Sequence, residues 1–139
     1  MSIPYHPEIG TIVICEFTGI VPEMTKTRPA IIVSPNLKHR EGLCTVVPMS
    51  ITPPDVIMSY HYKLYFPKPL PPPFDSSFKW VKGDMFATVS LERINLPYAG
   101  KNDKGKRMYV TMIVEDGDLK KIRECMLHAL ALSHLTEHL

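Results

Sequence analysis

Three short apolar runs of this chain end in, or begin with, side chains that could handle an anionic oxygen. Arg28 stands before Pro29 and the run Ala30-Ile31-Ile32-Val33. Ser50 closes the run from Leu43 to Met49, and Lys82 and Asp84 flank Gly83 after Trp80-Val81. Pro29 locks its own φ and drives Arg28 towards an extended backbone, so the guanidinium is aimed by a rigid frame. A fixed arginine beside a hydroxyl suits a phosphate oxygen, and RNA is the obvious source. Cleaving RNA at its own 2′-hydroxyl without a metal needs a base, a cation for the phosphorane charge and an acid for the leaving 5′-oxygen. Lys26 and Thr27 would extend the contact along the strand. Trp80 could stack on a base or lie in the core. Each residue also has a plainer reading. Arg28 could be an ordinary strand-end surface charge, Lys82 a solvated one, Ser50 a loop cap, and Asp84 a turn residue.

In these residues the chain resembles the PemK/MazF family, toxins of type II toxin–antitoxin systems. The resemblance runs through Gly10-Thr11-Ile12-Val13, Arg28 to Pro35, Val46-Val47-Pro48-Met49-Ser50 and Val81-Lys82-Gly83-Asp84, and ends in a C-terminal helix, spanning residues 9 to 132. It implies an SH3-like barrel and a sequence-selective, metal-independent endoribonuclease. Such an enzyme cuts single-stranded RNA such as mRNA to a 2′,3′-cyclic phosphate. It also implies a homodimer, inhibition by a cognate antitoxin with a disordered segment, and no cofactor. Arg28 matches the family's strand-opening arginine, implicated in cleavage. Ser50 falls where many members carry a catalytic threonine. Lys82 and Asp84 align with an arginine and an aspartate that serve as acid and base in the plasmid-borne branch. Lysine is not a conservative replacement at a bidentate phosphate contact. A non-catalytic binding protein on the same fold, such as a gyrase poison or an impaired family member, is the alternative.

The composition bounds what else the chain can be. A length of 139 residues predicts a single domain over 1–139. Such a chain buries roughly two-thirds of its unfolded surface. An apolar content of 45% makes it globular, and a net charge of +2 is too small to argue for nucleic acid by itself. Position must carry that case. Lys101 to Arg107 is a basic glycine-containing loop, read either as a solvated hairpin turn or as an RNA-facing loop with Lys104 and Lys106 at its tip.

Cys15, Cys44 and Cys125 form no Cys-x-x-Cys and read as reduced, buried small hydrophobes. His134 and His138 are four apart but lack a partner ligand, so no metal site is expected. His39 and His61 titrate in the right range for acid–base work, ranked below Asp84. No apolar stretch reaches the length of a membrane span, and no signal sequence is evident, so a cytoplasmic protein is expected.

The elements that must position these groups are mostly short strands: Thr11–Phe17, Ala30–Val33, Leu43–Val47, His61–Phe66, Met85–Ser90 and Met108–Val114. One helix from Asp118 to Ser133 follows. Strands first and a helix last predict a mainly β, α+β fold: a small antiparallel barrel closed by a C-terminal helix. The stripe Leu119, Ile122, Met126, Ala129 and Leu130 faces the core. The apolar surplus from Cys125 to Leu132 exceeds one stripe and points to a partner subunit, or to packing in its own domain. Pro67 to Pro73 reads as an extended polyproline stretch, either a stiff connection or a docking motif.

Overall fold

A computed structural model describes residues 3–139. Seven strands build its main sheet. They are β1 (Ile12–Thr18), β2 (Thr25–Ile32), β3 (Leu43–Ser50), β4 (His61–Tyr65), β5 (Phe78–Lys82) and β6 (Ala87–Ser90), joined at the edge by the short β7 (Ile94–Asn95). A separate hairpin follows, β8 (Tyr98–Lys101) and β9 (Arg107–Tyr109), then the helix α1 (Asp116–Ala129) and a last 3₁₀ turn over Ser133–His138. The pairing order is β4-β5-β3-β2-β1-β7, antiparallel at every pair. The path ends at β4 and β7 without closing into a hydrogen-bonded ring, so the mainly β class with a C-terminal helix holds while the sheet stays open.

β3 is the pivot. One edge pairs with β2 through Val46, Val47 and Pro48. The other edge is shared: Leu43–Val46 pair with β6, and Met49 and Ser50 pair with Val81 and Trp80 of β5. A single 3₁₀ turn, Gly83–Met85, carries the chain from one partner to the next. The end of β3 therefore meets the end of β5, which sets Ser50 near Lys82.

The continuous apolar runs of β1, β2 and β3 follow from burial on both faces. Val13, Cys15, Ala30, Ile32, Cys44 and Val46 pack on one side with Ile94. Ile12, Ile31, Val47 and Met49 pack on the other with Leu64, Val81 and Ile122 of α1. Alternation along each strand assigns the two sets, because successive side chains point to opposite faces.

Several boundaries differ from the sequence expectation. β5 lies outside the strands expected from the sequence, in a stretch where Lys79 hides its charge. Its Nζ is 1% exposed for the residue as a whole and donates to the carbonyls of Phe74 at 2.7 Å and Ser76 at 3.2 Å. The strand expected over Met108–Val114 shrinks to Arg107–Tyr109 plus one bridge between Thr11 and Ile113, since the chain leaves the hairpin to reach α1. The helix begins and ends earlier than expected, and Leu130, placed in the core stripe, is exposed. Pro67–Pro73 is not uniformly extended. Leu70 is buried and a turn closes from the Phe74 N–H to the Pro71 carbonyl, 3.1 Å. No helix among the described residues is long and apolar enough to cross a membrane. The three cysteines are free and buried, and burial pushes the thiols of Cys15 and Cys125 up to about 11 and that of Cys44 to about 12.

Candidate functional site

Arg28 is half-buried and held at two points. Lys26 adopts a left-handed φ of 70°, and Arg28 reaches back past it to donate Nε–H to the Thr25 carbonyl, 2.9 Å. Its Nη1 then points across the β2–β3 pair to Ser50 Oγ, 3.4 Å. The frame that Pro29 predicts is real: Pro29 pairs with Ile14 and is buried. Holding one edge of the guanidinium on a carbonyl leaves its other N–H groups to face an anion, the fork geometry that suits phosphate.

Ser50 is buried at the end of β3, opposite Trp80 of β5. Its Oγ accepts from Arg28 and from the Thr52 backbone N–H at 3.2 Å. Both lone pairs are thereby used, and the hydroxyl hydrogen is left to donate. So Ser50 both caps its loop and serves Arg28. Trp80, only 9% exposed, forms the wall behind it rather than an open platform, with Lys63 Nζ 5.9 Å from its ring.

Lys82 ends β5, and Asp84 is exposed in the 3₁₀ turn that follows. Burial holds the Lys82 ammonium below the usual lysine range; the Arg28 charge adds to this, while Asp84 and Asp55 oppose it. These interactions place Arg28, Lys82, Asp84 and Asp55 within one electrostatic neighbourhood. Gly83 between them is needed for close approach, not for an unusual φ. A Cβ there would lie 2.5 Å from Cys125 Cβ and 2.8 Å from the Tyr60 carbonyl oxygen. The turn is thus pressed against α1, and its N–H bonds that same Tyr60 carbonyl at 2.9 Å.

His61 opens β4 directly across from Lys82. Desolvation first, then the Lys82 charge, lowers its pKa, and Asp84 opposes the shift. Sequence reasoning named His61 only as a titratable group. Its place across from Lys82 depends on the pairing of β4 with β5, and β5 had no clear sequence signal.

Lys26 and Thr27 are exposed on β2 beside Arg28. Lys104 and Lys106 are not brought to this group. They sit in the exposed turn of the β8–β9 hairpin, where their backbone N–H groups bond Asn102 Oδ1 at 2.9 and 3.0 Å. The base of that hairpin lines a cavity with Ile14 and Pro71–Phe74. Ile14 lies on the opposite face of the sheet from its neighbour Cys15, which pairs with Arg28. The largest cleft described, about 710 Å³ between the β1–β2 turn and β6, includes Asp84 but not Arg28, Ser50 or Lys82. Arg28 and Lys82 are half-buried and Ser50 is buried beside them, outside that cleft.

A sequence profile of the PemK-like, MazF-like toxins of type II toxin–antitoxin systems matches residues 8–116. No curated protein matches the chain. Among solved structures, MazF from Deinococcus radiodurans (Form-I) superimposes with a TM-score of 0.62 at 18% identity, covering 91% of this chain and 98% of that one. An endoribonuclease in complex with its cognate antitoxin, from a mycobacterial species, gives 0.60 at 18% identity over 91% and 97% of the two chains. The Mycobacterium tuberculosis toxin MazF-mt6 gives 0.56 at 14% identity over 87% and 96%. At these identities the likeness is one of fold.

Proposed function

Because the chain belongs to the PemK-like, MazF-like toxin family of type II toxin–antitoxin systems, we propose that it is an endoribonuclease that cuts single-stranded RNA such as mRNA at selected sequences. The observation that carries this reading is the junction of β2, β3 and β5, which gathers Arg28, Ser50 and Lys82 at one place with Asp84 beside them.

The chemistry uses the RNA's own nucleophile. Asp84 takes the proton of the 2′-hydroxyl as its oxygen attacks phosphorus. Negative charge grows on the non-bridging oxygens, where Arg28 and the Ser50 hydroxyl donate hydrogen bonds. The P–O5′ bond breaks, and Lys82 returns a proton to the leaving oxygen. Its lowered pKa brings a lysine closer to the range an acid needs, although it remains a weaker fork than arginine. The products are a 2′,3′-cyclic phosphate and a 5′-hydroxyl. Two protein cations and an acid–base pair supply each role that a metal would otherwise fill, so no metal or cofactor enters the scheme. Lys26 and Thr27 lie along the path of the strand.

The same reading includes a homodimer and an antitoxin. Leu130, Leu135 and Leu139 leave an exposed apolar surface at the C-terminal end, more than a single chain covers. A symmetric dimer would double the basic strand-end site for a longer RNA contact. An acidic extended antitoxin segment fits a mildly basic chain.

An end-labelled RNA cleavage assay in EDTA is the test. Cleavage that persists in EDTA and leaves cyclic phosphate ends is expected. Activity lost in EDTA and restored by magnesium would overturn the metal-free scheme. RNA that binds without being cut would favour the non-catalytic alternative.

A further inference from the structure

The Met58–His61 turn is tied by two reciprocal hydrogen bonds. The His61 backbone N–H donates to the Met58 carbonyl at 3.0 Å, and the Met58 backbone N–H donates to His61 Nδ1, also 3.0 Å. A backbone N–H can only donate, so Nδ1 must present its lone pair. In a neutral imidazole the proton then sits on Nε2. Protonating the ring would put a hydrogen on Nδ1 facing the Met58 N–H and break this bond.

The rest of the turn locks the ring in place. The Tyr60 ring meets it edge-on with centroids 4.6 Å apart. The Tyr60 carbonyl accepts from Gly83 N–H at 2.9 Å, which fixes the turn against the segment carrying Lys82 and Asp84. His61 Nε2 makes no hydrogen bond within the described chain and is not sealed from solvent. The groups facing the ring are Lys82 opposite it on β5 and Asp84 in the following turn. Behind Gly83 stands Cys125 of α1, whose thiol stays protonated. Burial first, then the Lys82 charge, oppose a second positive charge here and hold the pKa of the ring down.

We infer that His61 is a neutral hydrogen-bond donor of this site, presenting Nε2–H to a phosphate oxygen of the RNA strand beside Lys82, and is not one of its acid–base groups. The inference rests on the ribonuclease reading of the site. It adds a neutral imidazole donor to the Arg28 and Lys82 cations and the Ser50 hydroxyl, and it divides the labour: Asp84 and Lys82 move protons while His61 only donates to the phosphate.

Two measurements on the full-length protein test it. Nitrogen-15 NMR of the imidazole at pH 7 is expected to show a neutral ring with its proton on Nε2. Binding a 2′-deoxy-substituted oligonucleotide, which cannot be cleaved, is expected to shift that proton downfield. A charged ring, a proton on Nδ1, or an unshifted signal at saturating oligonucleotide would overturn the inference. In the cleavage assay His61→Ala is expected to lose about a hundredfold, the scale of one lost transition-state donor. His61→Gln, whose amide N–H can stand in for Nε2–H, is expected to recover most of the loss and leave the pH profile unchanged. If the wild type cuts RNA and His61→Ala cuts equally well, the inference fails alone. If the wild type cuts no RNA, the ribonuclease reading fails, and the oligonucleotide shift still decides whether His61 donates to phosphate.

Discussion

Arg28 and Ser50 lie 22 residues apart in sequence, yet the guanidinium Nη1 comes to 3.4 Å from the serine Oγ. The pairing of β2 with β3 brings them together, and the contact uses serine as an acceptor. Arg28 also spends its Nε–H on the Thr25 carbonyl, so the guanidinium arrives at the site with its orientation already set. Binding energy then need not be diverted to ordering a long side chain.

Arg28→Ala is expected to lower the single-turnover cleavage rate by more than about a hundredfold, the range for a lost donor to developing charge. Arg28→Lys should recover little of it, because a lysine cannot hold the Thr25 carbonyl and face phosphate at once. The thermal midpoint of both variants should stay near wild type, since the side chain is only half-buried. Cleavage by Arg28→Ala at the wild-type rate would remove this residue from the site.

Ser50→Ala removes the acceptor shared by Arg28 and the Thr52 N–H. We expect a loss of about 1 kcal/mol of stability, the usual worth of such a bond, together with a clear loss of rate. Ser50→Thr keeps the hydroxyl and should retain most of the activity. A rate unchanged in Ser50→Ala, read beside its denaturation midpoint, would reduce Ser50 to a loop cap.

Gly83→Ala tests the packing that aims Lys82 and Asp84. The new Cβ would collide with backbone and Cβ atoms, at 2.5 Å from Cys125 and 2.8 Å from the Tyr60 carbonyl, which have no flexible end to move. Overpacking of this kind costs about 1 to 3 kcal/mol. A lowered urea midpoint with reduced cleavage is expected. An unchanged midpoint would mean that α1 yields at no cost.

Much of this arrangement was legible in the sequence, and what was hidden has a physical cause. Alternating or continuous apolar residues pointed to β1, β2, β3 and β4, and Arg28-Pro29 and Ser50 stood out because a charge or hydroxyl borders an apolar run. β2 starts earlier, at Thr25, so Arg28 lies within the strand rather than at its opening. β5 did not stand out, since Lys79 and Lys82 interrupt its short apolar stretch. Lys79 is in fact buried by its stem, with Nζ on two carbonyls and 4.5 Å from the Phe66 ring. Without β5 its register with β4 could not be drawn, so the pairing of His61 with Lys82 was invisible. Lys104 and Lys106 looked like site residues because charge in a loop carries no record of which face of the sheet it occupies.

Lys82→Arg examines the position where the family resemblance implies an arginine and this chain has a lysine. A planar fork offers two parallel bonds to phosphate where an ammonium offers a point charge. We expect tighter RNA binding, read as a lower KM in steady-state cleavage. The rate at saturation should fall if Lys82 is the acid, because a guanidinium does not give up its proton near neutrality. A higher saturating rate in this variant would show that the position stabilises charge and transfers no proton.

Tyr62 fastens β4 to the start of α1, and with it the Met58–His61 turn whose Tyr60 carbonyl holds the Gly83 N–H. Its hydroxyl donates to Asp118 Oδ1 at 2.7 Å. Burial first, then the bond to Asp118 and its charge, push the Tyr62 pKa up to about 12. The folded value lies above the unfolded one, near 10. The contribution to stability is therefore fully present below about pH 10 and is lost as pH rises through the folded value. Tyr62→Phe should cost about 1 to 2 kcal/mol at neutral pH, in the range of a hydrogen bond to a charged acceptor. Between about pH 10 and 12, the window those two pKa values define, the urea midpoint should fall more steeply for the wild type than for the variant. Parallel curves would mean that the phenol ionises as readily in the folded chain as in the unfolded one, and that the tie to Asp118 does not hold the helix to the sheet.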